Sequence, residues 1–116
     1  LSRGSRFADD DHRAFNRHGE AFDVGETFSG VPYEVALDAV EELRGLLPLN
    51  VPMAQAALRW CLMDEAVTVA IPGARTAEQA RSNAEAGRLP PLPPAAMEAV
   101  RDLYRRRIAP HVHQRW

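Results

Sequence analysis

The most informative stretch of this 116-residue chain reads Val67-Thr68-Val69-Ala70-Ile71-Pro72-Gly73-Ala74-Arg75-Thr76-Ala77-Glu78-Gln79. Residues 67–71 form a continuous, mostly β-branched run that ends at a proline–glycine pair, which favours a strand buried on both faces, as in parallel sheets. Thr76 and Gln79 have the spacing of a capping box, in which two side chains satisfy orphan backbone N–H groups reciprocally. The stretch therefore predicts a strand over 67–71 that turns directly into a helix.

Upstream of this strand, the apolar residues have helical spacing. From Tyr33 they recur at three- and four-residue steps, which predicts an amphipathic helix of about 14 residues stopped by Pro48. A second helix opens near Pro52, and its apolar residues run almost all round it. Such a helix is expected to be buried on most sides, with Trp60 and Cys61 in the core.

Downstream, two further helices are predicted. The helix that follows Thr76 is expected to continue to about Ala86 and to end at Gly87 in the left-handed conformation. The last helix carries arginines at residues 105–107, which complement the macrodipole, and Pro110 is expected to end it. Its positive face raises nucleic-acid binding as an interpretation, but the interleaved aromatic residues typical of such surfaces are missing.

Residues 1–32 show neither the period of a strand nor that of a helix. A stretch of this kind is uncommon in a compact domain, and is usually functional, disordered or dependent on missing context. A flexible arm is the simplest interpretation. Asp9-Asp10-Asp11-His12 offers metal-ligand side chains, but adjacent residues rarely converge on one ion, so a solvated loop is favoured.

The sequence predicts a single strand, over residues 67–71. A lone buried strand has no partner for its N–H and C=O groups. The sequence therefore favours an α/β fold whose remaining strands lie outside these residues, and we expect the chain to be part of a larger α/β protein.

Composition excludes several classes of protein. Apolar residues make up 46% of the chain and charged residues 26%, close to the globular average, so wholesale disorder is not expected. No apolar run approaches the length of a membrane span. A single cysteine cannot form an internal disulfide, which fits a reducing compartment, and a net charge of −2 provides no global basic field. We therefore expect a soluble, cytoplasmic protein that binds neither nucleic acid nor membrane.

The junction between the predicted strand and helix has the features of an anion site. The first amides of a helix are unsatisfied, and the macrodipole places partial positive charge there. Gly73 permits close approach of a ligand to the backbone, and Arg75 adds a planar, permanently charged group suited to phosphate. The alternative is an ordinary connection whose arginine is merely solvated.

Three motifs in this part of the chain resemble the C-terminal part of the aldo/keto reductase family. They are a Gln-x-Ala-Leu-x-Trp helix beginning at Gln55, the Ile-Pro-Gly-Ala end of the strand at residues 71–74, and a Gln-x-x-x-Asn helix start beginning at Gln79. They occur in the family's order and spacing. A weaker resemblance covers residues 9–13 and Phe15-Asn16, and the whole chain fits the family.

The resemblance implies the C-terminal fragment of a (β/α)8 TIM barrel, mostly helical, with residues 67–71 as its last strand. Residues 1–32 would be the irregular loop region after barrel strand 7. Residues 33–116 would be the last barrel helices, strand 8 and the C-terminal helices, which together form one incomplete domain. Phosphate sites in such barrels favour the loops after strands 7 and 8.

The resemblance also implies an NADP(H) cofactor held at the C-terminal face of the barrel. The backbone of Gly73 and Ala74 would lie near the adenosine phosphate, and Arg75 would pair with the 2′-phosphate that distinguishes NADP from NAD.

On the following helix, the resemblance assigns three further cofactor contacts. Thr76 would cap the helix and lend its amide or hydroxyl. Gln79 and Asn83, one turn apart on one helix face, would contact the phosphoribose and the adenine edge. Ser82 departs from the family pattern, which often has an acid at this position.

The implied reaction is hydride transfer from the nicotinamide to the carbonyl of a small-molecule substrate. The family's catalytic Asp, Tyr, Lys and His come from early barrel strands, and this chain has no lysine because all 14 basic residues are arginines. We therefore expect no catalytic residue and no metal site in this chain, which alone would be inactive. The alternative is a stand-alone helical binding or assembly module. Exposure of residues 67–71 would favour that alternative.

Overall fold

The computed structural model describes residues 1–48 and 50–115. Their contacts form two units, one comprising Leu1–Leu43 together with the residues from Val100 onward, and the other comprising Arg44–Ala99. The α-helices of the described part are α1 (His12–Phe15), α2 (Tyr33–Leu46), α3 (Met53–Cys61), α4 (Ala77–Glu85), α5 (Pro94–Leu103) and α6 (Ala109–Val112). None of these helices is long and apolar enough to cross a membrane.

The predicted strand over 67–71 is wrong for this structure. These residues have no regular secondary structure, and the described ranges contain no strand with which they could pair. Val69 is 66% exposed and Ile71 is 91% exposed. A β-branched sequence prefers extended backbone, but a strand also requires a hydrogen-bonding partner, and the propensity of the segment does not supply one.

In the first unit, helix α2 confirms the prediction made from its apolar spacing. It spans 14 residues and buries Tyr33, Leu37 and Ala39. Val31, Leu103 and Val112 complete the buried apolar set among the described residues of this unit. A tight turn leads into the helix, with positive φ at Phe28, Ser29 and Gly30.

The prediction that Pro110 ends the last helix is wrong. A π-helical turn, Tyr104–Ile108, follows α5, and α6 then carries Pro110 in its first turn. In a continuous α-helix the proline ring would meet the carbonyl four residues back. Here Ala109 donates to the Tyr104 carbonyl five residues back, so the wider turn re-registers the chain just before the proline.

In the second unit, α3 and α4 lie against each other and against a 3-10 turn, Ala86–Arg88. Ala56 and Ala86 are buried there, together with Leu47 and Leu92. The predicted burial of α3 on most sides is wrong.

Two residues of α3 that were expected in the core are exposed, Trp60 at 38% and Cys61. Ala56 is the residue of this helix that becomes buried, because the described residues cover one face of it. Gly87 likewise lies inside the 3-10 turn without positive φ, so the expected left-handed cap is absent.

Residues 1–32 contain the short helix α1 and two 3-10 turns, and an ordered polar network organises part of them. Asn16 and Thr27 are both 0% exposed. Asn16 accepts at Oδ1 from the amides of Ala21 and Phe22, each at 2.9 Å, and donates from Nδ2 to Thr27 Oγ1 at 3.1 Å. His12 Nδ1 lies 3.3 Å from the same hydroxyl. A buried amide side chain therefore supplies this loop with hydrogen bonds that no helix or strand provides.

Candidate functional site

The candidate phosphate site lies in the second unit, where residues 73–76 lead into α4. Thr76 has extended backbone (φ −133°, ψ 156°), and its hydroxyl accepts a hydrogen bond from the Gln79 amide, at 3.1 Å. This confirms Thr76 as the helix cap. The amides of Ala77 and Glu78 lie before the first intrahelical bond, which Ala80 donates to the Thr76 carbonyl.

The second half of the predicted capping box is different. The Gln79 side chain accepts at Oε1 from the Arg75 amide, at 2.8 Å, one residue before the cap. The backbone of Arg75 is held in place, and its side chain begins from a fixed position.

Asn83 fastens the other end of the same loop. Its Nδ2 donates to the Gly73 carbonyl at 3.2 Å. Because Gln79 and Asn83 lie one turn apart on α4, two side chains on one helix face hold the loop at Gly73 and at Arg75. Ala74 lies between these two anchors and is exposed. The structure thus brings all six predicted cofactor-binding residues together.

The charge on this loop comes from Arg75. Its side chain is exposed, and no ion pair or side-chain hydrogen bond of its guanidinium occurs within residues 1–48 and 50–115. The helix start adds partial positive charge, which the acidic Glu78 in the first turn partly offsets. The space around Gly73 is open, since a Cβ there would meet no atom within 4 Å. An exposed guanidinium beside the first amides of a helix can bind a phosphate group through charge and hydrogen bonds.

Sequence reasoning missed the residue that connects α3 to this site. Gln55 donates from Nε2 to the Ser82 carbonyl at 2.9 Å and lies 3.1 Å from the Ser82 hydroxyl. Ser82, which departs from the family pattern, links the two helices. Gln55 is the first residue of the Gln-x-Ala-Leu-x-Trp motif, and its place in that motif is the sequence feature that could have indicated its role.

The acidic cluster at residues 9–12 does not converge. Asp11 caps α1 through the Arg13 amide, and its carboxylate also accepts from the Arg13 side chain. These hydrogen bonds hold the pKa of Asp11 well below its usual range. His12 faces Thr27 instead. In the part of the chain that the structure describes, no three potential ligands approach closely enough to hold a metal ion.

The arginines of the last helices are engaged with carboxylates. Arg106 donates to Asp102 and to Glu42, both at 2.6 Å, and Arg107 donates to Glu42 at 2.9 Å. The two guanidinium groups lower the pKa of Glu42, and Arg106 lowers that of Asp102. These ion pairs neutralise much of the positive face that had suggested nucleic-acid binding.

Each of the two tyrosines contacts a basic side chain. Tyr33 is buried at the start of α2, with the Arg17 guanidinium 4.2 Å from its ring centre. The Tyr104 hydroxyl lies 3.0 Å from His113 Nδ1. Both residues lie in the first unit, whereas the phosphate loop belongs to the second.

A comparison with protein-family models matches residues 2–105 to the aldo/keto reductase family. The chain therefore belongs to this family, as its motifs predicted. Membership supports an oxidoreductase and implies a barrel-forming parent, and members of the family generally use NAD(P)H. Neither a curated protein nor a solved structure matches the chain.

Proposed function

We propose that this chain is the C-terminal, NADP(H)-phosphate-binding part of an aldo/keto reductase that reduces carbonyl compounds. The observation that carries the proposal is the loop at residues 73–76, which two side chains of α4 hold so that the exposed Arg75 stands beside the helix start. The family match over residues 2–105 supports the assignment.

The loop and helix α4 contribute to phosphate binding in different ways. Gln79 and Asn83 fix the backbone at Arg75 and Gly73, so less conformational entropy is lost when a phosphate binds. Arg75 supplies the permanent charge that selects a 2′-phosphate over a hydroxyl. The amides at the start of α4 add hydrogen-bond donors. When bound, the nicotinamide supplies the hydride for reduction of the substrate.

In this assignment the chain binds the cofactor, and the proton-transfer residues belong to another part of the parent protein. The chain has no lysine, and the tyrosines make the structural contacts given above. By itself the chain should therefore bind the adenosine end of the cofactor without reducing carbonyls.

Replacement of Arg75 tests the site. We expect Arg75→Ala to weaken binding of 2′,5′-ADP by about tenfold, because one charged hydrogen-bonding partner of the 2′-phosphate is lost. Binding of 5′-ADP, which lacks that phosphate, should change little. Isothermal titration calorimetry of the 116-residue chain and of the variant measures the affinity for each nucleotide.

Arg81 provides a matched control. It is an exposed arginine on α4, beyond the loop, and Arg81→Ala removes the same charge from the same helix. Binding of 2′,5′-ADP should stay within about twofold of the original, as for a screened surface charge. Equal losses in the two variants would contradict a specific role for Arg75, and so would equal affinity of the original chain for the two nucleotides.

A stand-alone binding or assembly module is the second candidate function. The observation that favours it is the exposure of residues 67–71, of which Ile71 is 91% exposed. A catalytic barrel would need this segment within its sheet, whereas an assembly module would use it as a contact surface. The oligomeric state of the chain separates the two candidates.

A further inference from the structure

Helices α3 and α4 are joined by a side-chain amide close to the end of α4. Gln55 of α3 and Ser82 of α4 are both half-buried, and Ala56, next to Gln55, is 0% exposed. The Gln55 amide nitrogen donates to the Ser82 carbonyl at 2.9 Å and to the Ser82 hydroxyl at 3.1 Å. Since a side-chain amide nitrogen carries two N–H groups, a single residue of α4 accounts for both of them.

The Ser82 carbonyl can accept this hydrogen bond because α4 ends in a tighter turn. In a continuing α-helix, the Ala86 amide would donate to the Ser82 carbonyl four residues back. Here the Ala86 amide donates to the carbonyls of Asn83 and Ala84 instead. The last carbonyls of a helix need partners from outside it, and Gln55 is such a partner for Ser82.

The last turn of α4 also carries one of the two side chains that hold the phosphate loop. Asn83 directly follows Ser82, and its Nδ2 donates to the Gly73 carbonyl at 3.2 Å. The other anchor, Gln79, lies in the first turn, which Thr76 caps. Because helix ends fray, the turn with Asn83 needs a fastening of its own, and the hydrogen bonds from Gln55 supply one.

From these contacts we propose that Gln55 is a positioning residue of the phosphate site. By holding the last turn of α4 it keeps Asn83 on the Gly73 carbonyl, and the loop therefore stays in the conformation that receives the adenosine end of the cofactor. For its ligand this inference rests on the proposed function. Gln55 acts on the loop through Ser82 and Asn83, whereas Arg75 acts on the 2′-phosphate itself.

Gln55→Met tests the effect on the loop without any ligand. Methionine keeps an unbranched side chain and high helix propensity, but it has no N–H to donate. The carbonyl carbon of Gly73 is the reporter in the NMR spectrum of the 116-residue chain. Asn83→Ala gives the chemical shift of Gly73 without its hydrogen bond. We expect Gln55→Met to move the Gly73 shift a large part of the way towards that value.

Nucleotide titration is the second readout. Gln55→Met should weaken binding of 2′,5′-ADP and of 5′-ADP by the same factor, about fivefold, as for the loss of one hydrogen bond. The two losses should be equal because Asn83 and Gly73 serve the part that the two nucleotides share. Arg75→Ala, in contrast, should affect 2′,5′-ADP alone.

A double-mutant cycle distinguishes positioning from a general loss of structure. In an Asn83→Ala background, Gln55→Met should weaken binding by less than about twofold, because the side chain through which Gln55 acts is already absent. A residue that merely stabilises the fold would cause the same loss in both backgrounds.

Gln114→Met is the matched control. Gln114 Nε2 also donates to a backbone carbonyl, that of His111 at 3.2 Å, but it lies in the first unit. Its replacement should leave the Gly73 shift and both affinities unchanged. Ser82→Ala removes only the hydroxyl acceptor and should move the Gly73 shift in the same direction by a smaller amount. If Gln55→Met loses its helical circular dichroism, the response of Ser82→Ala decides the question.

Three results would overturn the proposal. They are a Gly73 shift that Gln55→Met leaves at its original value, equal losses of affinity in the original and the Asn83→Ala backgrounds, and a loss confined to 2′,5′-ADP. If the original chain bound neither nucleotide, the proposed function would fail, and the Gly73 shift would still decide whether Gln55 positions the loop. An unchanged Gly73 shift in a chain that binds both nucleotides would refute the role of Gln55 alone.

Discussion

In the loop around Asn16 and in the segment 67–71, the polarity of the sequence does not match the burial of the side chains. The first is glycine-containing, acidic and without periodicity, yet two of its polar residues, Asn16 and Thr27, are fully buried. The second is apolar and β-branched, yet Ile71 is among the most exposed residues in the structure. Burial in this chain therefore follows the availability of a partner for the backbone and side chains. A polar loop can supply its own hydrogen bonds locally, whereas a strand depends on a neighbouring strand.

The largest effect is expected from breaking the loop network. Asn16→Ala should lower the free energy of unfolding by about 2 kcal/mol, because two backbone amides lose their acceptor. Urea unfolding followed by circular dichroism measures the change. Asn50→Ala, at an exposed position, is the control and should stay within about 0.5 kcal/mol. Equal stability of the two variants would contradict an organising role for Asn16.

Two glycines with different backbone conformations are expected to respond differently to replacement by alanine. Gly30 has φ +75°, so Gly30→Ala should cost about 1 kcal/mol from the left-handed conformation. Gly73 has no such φ and open space around it, so Gly73→Ala should be neutral or stabilising by about 0.5 kcal/mol. Thermal unfolding compares them, and a larger loss for Gly73→Ala would reverse the expected order. Weaker binding of 2′,5′-ADP by a stable Gly73→Ala chain would support close approach of phosphate there.

The smallest effect concerns the ion pairs between α2 and the π-helical turn. The pKa of Glu42 is lowered by Arg106 and Arg107, so its stabilisation is present above the unfolded value of 4.5 and is lost as pH falls through the folded value. Glu42→Gln should therefore flatten the decline in stability between neutral and acidic pH. The effect is small because these groups are partly exposed and solvent screens them.

Denaturant midpoints measured across that pH range give the comparison for Glu42→Gln. Glu65→Gln serves as the control, since Glu65 is exposed and makes no ion pair in the described ranges. If the two variants have the same pH dependence, the contacts with Arg106 and Arg107 do not contribute to stability.

The features predicted best are those that depend on neighbouring residues in the sequence. The spacing of apolar residues from Tyr33 gave helix α2 its correct extent, and Thr76 caps α4 as its residue type suggested. The family was recognised from three short motifs and is confirmed by the match over residues 2–105. The assignment of Arg75 and its neighbours to a cofactor stays a prediction.

Other features could not be predicted from local signals, because each depends on atoms distant in sequence or on a change of helical register. The π-helical turn that accommodates Pro110 is a change of this kind. The link from Gln55 to Ser82 joins two helices that local patterns treat separately. The burial of Asn16 depends on Thr27 and on backbone amides beyond α1.

Helix α2, the Thr76 cap of α4 and the membership of the aldo/keto reductase family could be predicted from the sequence, because they depend on side-chain periodicity, on a capping residue and on the order of short motifs. Which surfaces become buried depended on the tertiary structure. It exposed residues 67–71 and one side of α3, and it enclosed Asn16 and Thr27. The physical reason is that propensity acts on a residue and its neighbours, whereas burial requires a complementary surface from elsewhere in the chain or from another molecule.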